Sequence, residues 1–282
     1  MADPIPGADP AVLVSDLSLS YPAAGGRRAY NAVEGLGFTL GRGRTLALLG
    51  ESGSGKSTIT RFIAGRGEEA ADKRARIRVT GGDATVLGLS LLRLRRRAAL
   101  QLTAHVGHLA QDAGSTLPAE LNVGDILFSP IAERTRHFDR AQLSEQIVEM
   151  MDIVGLPLTK LQEFPYELSK GQRQRVAVMR SLMLGPSLYI ADEPTLGVDA
   201  NNRPRIVDLL EWYRARSEAT MVLVSHDIGL LERLGQRVLV LQAGQAVGEG
   251  DINDIFRSAD HSYVQQLAQA LRASAYDDIA EA

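Results

Sequence analysis

An apolar run that leads into a glycine-rich loop constrains this chain more than any other feature of its sequence. The run TLALL, residues 45–49, is followed directly by GESGSGKST, residues 50–58. Glycine adopts backbone conformations that other residues avoid, so this loop can curl until successive amide N–H groups face one anion. Lys56 adds a positive charge for terminal phosphates, and the Ser57 hydroxyl is a ligand for Mg²⁺. The sequence therefore predicts a phosphate-binding loop at the end of a buried strand.

A helix is expected to begin where this loop ends. Ile59, Phe62 and Ile63 recur at i, i+3 and i+4, which is the spacing of one apolar helix face. A helix that starts here points the positive end of its dipole at a bound phosphate. Strand, loop and helix together match the P-loop pattern, which we favour over an ordinary Gly/Ser turn.

Polar residues close three further strand-like runs. LYIADE ends in Asp192 and Glu193, and two carboxylates at a buried strand end are costly without a charged partner. Mg²⁺ suits Asp192, which leaves Glu193 to orient or deprotonate a water. His226 lies in VLVSHD and Gln111 follows VGHLA. Ligands bind at the carboxyl ends of parallel strands, so we expect His226 to contact phosphate and Gln111 to reach Mg²⁺. A structural histidine and a surface glutamine are the alternatives.

A second helix start in the chain is also suited to an anion. In YELSKGQRQR, Ser169 stands at the expected N-cap and Gly171 follows it. One nucleotide does not need two such helix starts within one subunit. We therefore expect this one to serve the nucleotide of a neighbouring subunit.

The periodicity of apolar residues predicts an α/β fold. Antiparallel strands are expected between residues 11 and 40 and from about 76 to 87. Residues 121–184 are rich in helical patterns, and parallel strands joined by the helix RIVDLLEWYRARS follow them. RVLVLQAGQAVGEGD predicts a hairpin that turns near Ala243-Gly244, and helices are expected in the remaining tail.

Composition excludes several kinds of site and partner. The 282 residues include no cysteine, so this chain holds no disulfide, zinc–thiolate site or iron–sulfur cluster. A net charge of -3 gives no reason to expect nucleic acid as a partner, and LLRLRRR (residues 91–97) is interpreted as a solvated helix face. We expect no signal peptide in MADPIPGADP and no membrane helix, hence a cytosolic protein.

In their order along the chain, these motifs resemble those of the ABC ATPase family. They are Tyr21, the loop at 50–58, Gln111, LSKGQ at 168–172, ADE at 191–193, Asp199 and His226. The resemblance implies an α/β P-loop NTPase fold with a mostly parallel core sheet, an antiparallel β subdomain and an inserted α-helical subdomain. It implies a flexible tail over residues 1–10, a nucleotide-binding domain over 11–250 with helices inserted at about 112–184, and a C-terminal helical extension over 251–282.

The resemblance also implies that two such domains pack head to tail around two ATP molecules. Tyr21 would stack on adenine, Glu193 would activate water, His226 would sense the γ-phosphate and Asp199 would couple the two sites. The expected nucleotide contacts are Tyr21, Gly50, Glu51, Ser52, Gly53, Ser54, Gly55, Lys56, Ser57, Thr58, Gln111, Ser169, Gly171, Gln172 and Asp199. The expected catalytic residues are Lys56, Glu193 and His226, and the expected Mg²⁺ ligands are Ser57, Gln111 and Asp192.

Within the family, the chain is most similar to the ATP-binding subunits of oligopeptide, dipeptide and nickel importers. FPYELSKGQRQRV, IADEPT and the tail GDINDIFRSADHSYVQQL carry this likeness. Lys170 departs from it by replacing the first glycine of LSGGQ, as do Leu196-Gly197-Val198, where Ser-Ala-Leu is common. The cysteine-rich extension of many peptide-importer ATPases is absent from this sequence.

The expected function is that of an ATP-hydrolysing subunit of an importer for peptides, nickel or a related small solute. Its expected partners are a second ABC ATPase subunit, identical or related, integral membrane permease subunits and, indirectly, a solute-binding protein. It would lie in the cytoplasm, peripheral to the inner face of the cell membrane. The alternative is a soluble accessory ATPase of an enzyme complex such as carbon–phosphorus lyase. Ribosomal or repair ABC proteins and GTPases lack support in the motifs.

Overall fold

The computed structural model describes residues 10–23, 29–68, 76–92, 94, 96–134, 138–255 and 261–270. Three sequence predictions fall elsewhere in part or whole. The expected tail at residues 1–9, most of the turn that follows β1 at 24–28, and the end of the C-terminal extension at 271–282 lie outside the described residues.

Ten strands and nine helices are described in chain order. The strands are β1 (Val12–Tyr21), β2 (Tyr30–Leu40), β3 (Thr45–Gly50), β4 (Arg78–Val86), β5 (Leu89–Ser90), β6 (Val106–Leu109), β7 (Leu188–Asp192), β8 (Thr220–Val224), β9 (Arg237–Gln242) and β10 (Gln245–Asp251). The helices are α1 (Lys56–Ile63), α2 (Arg96–His105), α3 (Val123–Ala132), α4 (Arg140–Ile153), α5 (Lys170–Leu182), α6 (Arg203–Ser217), α7 (Ile228–Leu234), α8 (Ile252–Ile255) and α9 (residues 262–270). Within these described ranges, no helix combines the length and apolar character needed to cross a membrane.

The first sheet is antiparallel and has the strand order β2-β1-β4-β5. β1 pairs with β2 from Val12 opposite Leu40 to Tyr21 opposite Tyr30. Val12 and Val14 are buried while the residue between them is exposed, which is the alternation of a sheet with one covered face. The antiparallel β subdomain predicted from the sequence is therefore confirmed.

The second sheet is mostly parallel, with the order β10-β9-β3-β8-β7-β6. Every residue of β3, β7 and β8 is buried, because helices and the first sheet cover both faces of these strands. Only β10 runs antiparallel to its neighbour, β9. The turn between them contains Ala243 and Gly244 with φ of 48° and 84°, as in a two-residue hairpin turn. The predicted α/β fold and hairpin are confirmed.

The parallel register lines up the carboxyl ends of four strands. Leu48 of β3 and Asp192 of β7 both pair with Val224 of β8, and Leu109 of β6 pairs with Ala191 of β7. The glycine loop, His226, the two acidic residues and Gln111 each follow one of these ends. They therefore lie in a row along one edge of the sheet.

The helix-rich segment predicted between residues 121 and 184 contains α3, α4 and α5. Asn122 and Asp139 cap the first two helices by accepting hydrogen bonds from the amides of their first turns. Met150 and Met151 of α4 are fully buried in the larger hydrophobic core. The helices are confirmed, whereas the limits of the three predicted regions of the chain stay a prediction.

The interpretation of residues 91–97 as a helix face is wrong for its first half. Leu91 is buried and belongs to the hydrophobic core between the two sheets, and α2 begins only at Arg96. Burial of this leucine anchors the chain before the helix, which the basic character of the run does not reveal. Arg93 and Arg95 lie outside the described residues.

Candidate functional site

The glycine loop, residues 50–58, connects β3 to α1 as predicted. Gly50 and Gly55 have φ of 145° and 103°. A Cβ on Gly50 would lie 2.1 Å from the carbonyl oxygen of Leu241, and one on Gly55 would lie 2.4 Å from that of Ala32. Both positions therefore require glycine, because the loop packs directly against neighbouring backbone.

Lys56 is tied to the loop that precedes it. Its ammonium donates hydrogen bonds to the carbonyl oxygens of Gly50 at 2.6 Å and Glu51 at 2.7 Å, and to the Ser54 hydroxyl at 3.3 Å. Burial lowers the pKa of this ammonium, while the carboxylates of Asp192 and Glu193 act in the opposite direction. The loop thus holds a largely buried cation, which is what a phosphate site needs.

The three predicted metal ligands line one cavity of about 530 Å³. The Asp192 side chain is 4% exposed, and burial raises its pKa, opposed by a hydrogen bond from the Ser57 hydroxyl and by the charge of Lys56. Gln111 supplies an amide oxygen to the same cavity. Hydroxyl, carboxylate and amide oxygens suit Mg²⁺, and a cation there would stabilise the buried carboxylate. This donor set therefore fits the ion.

Glu193 combines an unusual backbone with a raised pKa. Its φ is 53°, a left-handed conformation that costs a residue other than glycine of order 1 kcal/mol or more. Its amide donates to the carbonyl of Val224 at 2.8 Å. Burial raises the pKa of the Glu193 carboxyl to about 7, with a hydrogen bond from the His226 amide at 3.4 Å opposing the rise. Its pKa thus lies where a carboxylate can accept a proton near neutral pH.

His226 lies beside this carboxylate at the end of β8. Its Nε2 is 3.4 Å from Glu193 Oε1. Burial, and then the charge of Lys56, lower the pKa of the imidazole below its ordinary value. The neutral ring can therefore donate or accept a hydrogen bond at the cleft.

The sequence did not reveal the role of Gln174 on α5. Its side chain is 4% exposed and donates to the carbonyl oxygens of Pro194 at 3.0 Å and Glu193 at 3.4 Å. Gly114, in the segment after Gln111, lies so close that a Cβ there would be 2.8 Å from Gln174 Oε1. Gln174 therefore connects α5 to both loops. No sequence signal marks it, because QRQR is typical of a solvated helix.

Two tyrosines flank the glycine loop. The hydroxyls of Tyr21 and Thr58 lie 3.2 Å apart, and the Tyr30 hydroxyl donates to the carbonyl of Gly53 at 3.3 Å. Tyr30 is 54% exposed and lines a cleft of about 450 Å³ beside the loop. Stacking of Tyr21 on adenine stays a prediction. Tyr30 was missed, since its only sequence signal is its place at the start of a strand.

Ser169 occupies the N-cap of α5, as predicted. Its hydroxyl accepts from the Gln172 amide at 3.2 Å, and the Gln172 side chain accepts from the Ser169 amide at 2.9 Å, which completes a capping box. Lys170 packs against Gly197, where a Cβ would lie 2.5 Å from Lys170 Cε. The two departures from the family pattern therefore fit each other, because a glycine at 197 leaves room for the lysine.

The predicted residues separate into two groups in this single chain. The cleft beside the glycine loop is lined by Lys56, Ser57, Gln111, Asp192, Glu193 and His226, among others. Ser169, Gly171, Gln172 and Asp199, all of which the structure describes, do not line it. Asp199 instead accepts hydrogen bonds from Asn202, at 2.9 and 3.0 Å from its side-chain nitrogen, which lower the pKa of its carboxyl.

Comparison with known proteins agrees with this geometry. The family model described as ABC transporter matches residues 33–196. The dipeptide transport ATP-binding protein DppF of Escherichia coli (strain K12) is 32% identical over 266 residues, which cover 93% of this chain and 76% of DppF. The oligopeptide transport ATP-binding protein OppF of Lactococcus lactis subsp. lactis (strain IL1403) is 30% identical over 266 residues, covering 92% and 79%.

A solved structure shows the same fold. It is a dimeric, post-hydrolysis state of the ATP-binding cassette MJ0796 bound to ADP and Pi, with a TM-score of 0.72 and 23% identity. The match covers 86% of this chain and 98% of that one. The family match spans more than half of the present sequence and contains both the glycine loop and the acidic strand end. This chain therefore belongs to the ABC transporter family and has the fold of its ATP-binding cassettes.

Proposed function

We propose that this chain is the ATP-hydrolysing subunit of an ABC importer for peptides, nickel or a related small solute. Membership of the ABC transporter family makes ATP its nucleotide and ATP hydrolysis its reaction. The observation that carries the proposal is the row of polar groups along one sheet edge, from the glycine loop through His226 and Glu193 to Gln111. The names of the relatives, which refer to dipeptide and oligopeptide transport, support the solute class.

Each group along this edge has a role that its surroundings allow. The loop amides and Lys56 bind the phosphates, and Thr58 and Ser57 extend the contact into α1. Ser57, Asp192 and Gln111 would hold Mg²⁺, which supplies charge neutralisation on the phosphate oxygens when it is bound. Glu193 orients the attacking water and takes its proton, and His226 contacts the terminal phosphate.

A second ATPase subunit follows from the residues that the cleft leaves out. Ser169, Gly171 and Gln172 form a helix start suited to an anion but do not line the cleft of their own chain. They would contact the nucleotide of the partner, with Asp199 between the two sites. Closure of the pair around ATP would then drive integral permease subunits through the helices between residues 112 and 184. The chain would lie at the cytoplasmic face of the membrane.

Isolation from native membranes tests this proposal. We expect a tagged chain to hydrolyse ATP and to copurify in detergent with integral membrane subunits and a second ABC ATPase subunit. Copurification of soluble enzyme subunits without detergent would instead identify an accessory ATPase of an enzyme complex. Absence of ATP hydrolysis in the purified assembly would contradict both.

The pH dependence of hydrolysis is expected to follow the Glu193 carboxyl. Its pKa in the free protein is about 7, and only the ionised form can take a proton from water. The ratio kcat/KM, which reports the free enzyme, should rise about tenfold per pH unit below about pH 7 and level off above it. Steady-state assays at saturating Mg²⁺ measure this. A profile that is flat through this range would contradict the assignment of Glu193 as base.

Replacement of Gln174 with leucine is expected to lower kcat roughly tenfold while leaving ATP affinity unchanged. The change removes the donor that holds the Glu193 and Pro194 carbonyls, and an unmade buried hydrogen bond costs about 1–3 kcal/mol. The phosphate loop is not touched. Gln142→Leu, on the exposed side of α4, is the matched control. Equal losses in kcat and in ATP affinity would show that Gln174 does not act through Glu193.

A further inference from the structure

Tyr21 and Tyr30 form a cross-strand pair at the end of β1 and β2. They are directly opposite each other in the register of the two strands. Residues opposite each other in an antiparallel pair project their side chains from the same face of the sheet. The hydroxyls of the two rings reach two ends of the phosphate loop, at Thr58 and at Gly53.

The two rings differ in what covers them. Tyr21 is partly buried against the core between the two sheets, whereas Tyr30 is 54% exposed and lines the cleft that also contains Ser52, Gly53 and Lys56. The space beside Gly53 is open, since a Cβ built there would meet no atom within 4 Å. A flat aromatic ring thus stands beside the phosphate loop, held by one hydrogen bond and left accessible to a ligand.

An accessible aromatic ring beside a phosphate site suits a nucleobase. Base–aromatic stacking is favourable for every base, because each presents a π-face, and the ring loses little conformational freedom on binding. The hydroxyl contact with Gly53 orients the ring but leaves its face free. Since the phosphates of a bound nucleotide lie in the loop, its base lies within the surroundings of this strand pair.

We propose that Tyr30 is a second base-contacting residue of the nucleotide site and forms with Tyr21 an aromatic pair for the purine. The proposal rests on the proposed function, because it assumes that a nucleoside triphosphate occupies the glycine loop. Stacking does not distinguish adenine from guanine by hydrogen bonds, so Tyr30 contributes affinity for both purines.

Equilibrium binding of ATP, GTP and inorganic tripolyphosphate to the full chain, each with Mg²⁺, tests the proposal. Tyr30→Ala should weaken ATP and GTP binding by at least about fivefold and leave tripolyphosphate binding unchanged. Tyr30→Phe keeps the ring and should bind all three nearly as the unsubstituted protein does. Leu13→Ala, at another exposed apolar position of the same sheet, controls for the loss of a surface side chain.

Each other outcome removes the proposal. Unchanged ATP affinity in Tyr30→Ala would show that the ring does not contact the base. Equal losses for ATP and tripolyphosphate would show that Tyr30 acts only on the shape of the loop. If the unsubstituted protein bound tripolyphosphate but gained nothing from a base, Tyr30 would be wrong and the phosphate site would stand. Binding of none of the three would overturn the proposed function together with this inference.

Discussion

Replacement of Glu193 with glutamine is expected to lower ATP hydrolysis by about 10²- to 10⁴-fold while ATP still binds. Glutamine has nearly the same shape, but its amide cannot take a proton from the attacking water. The loop, Lys56 and Asp192 are unchanged, so the phosphate and metal contacts remain. Because the amide also carries no charge, the variant should hold intact ATP between two associated subunits.

Two measurements check this result. Steady-state hydrolysis gives the loss in rate, and analysis of bound nucleotide after incubation with ATP and Mg²⁺ should find ATP instead of ADP. Glu232→Gln removes a carboxylate from the exposed side of α7, close in sequence to His226, and should hydrolyse ATP normally. Undiminished hydrolysis by Glu193→Gln would mean that another group activates the water.

Replacement of Lys56 with alanine is expected to weaken ATP binding by about 10- to 150-fold and to lower kcat/KM at least as much. The ammonium is the buried cation of the loop, and hydrogen bonds to charged groups contribute about 1.5–3 kcal/mol each. The variant also loses the contacts that tie the side chain to Gly50 and Glu51, so the loop is less well ordered before the nucleotide arrives.

Binding of ATP measured by calorimetry, together with thermal unfolding, separates these effects. Lys160→Ala is the matched control, because Lys160 forms a salt bridge of 2.8 Å with Glu163 at the surface. It should bind ATP normally. A folded Lys56→Ala protein with the affinity of the unsubstituted chain would exclude the assigned role for this lysine.

Local patterns were sufficient for most of the fold. The alternating and continuous apolar runs predicted the antiparallel and parallel strands, because these periods follow from which faces are covered. The hairpin at Ala243-Gly244 was predicted from turn chemistry alone. The run at 91–97 failed because Leu91 is buried by contacts with distant residues, which no local pattern contains.

Much of the candidate site also followed from the sequence. Residues 50–58, Asp192, Glu193, His226 and Gln111 were each expected at strand ends, and the parallel register places them along one edge. Their chemical roles stay predictions that the variants above test. Gln174 and Tyr30 were missed, since one lies within a polar helical pattern and the other at an ordinary strand start.

The sequence by itself determined the chemistry of this protein, because a phosphate loop and an acidic strand end depend on residue types and short spacings along the chain. Only the tertiary structure decided which side chains meet. Tyr30 reaches the loop because it is paired with Tyr21, and Lys170 has room because residue 197 is a glycine. Burial raises the pKa of Glu193 to about 7 in the same way. Such effects come from packing between segments that lie far apart in the chain, and short spacings do not encode them.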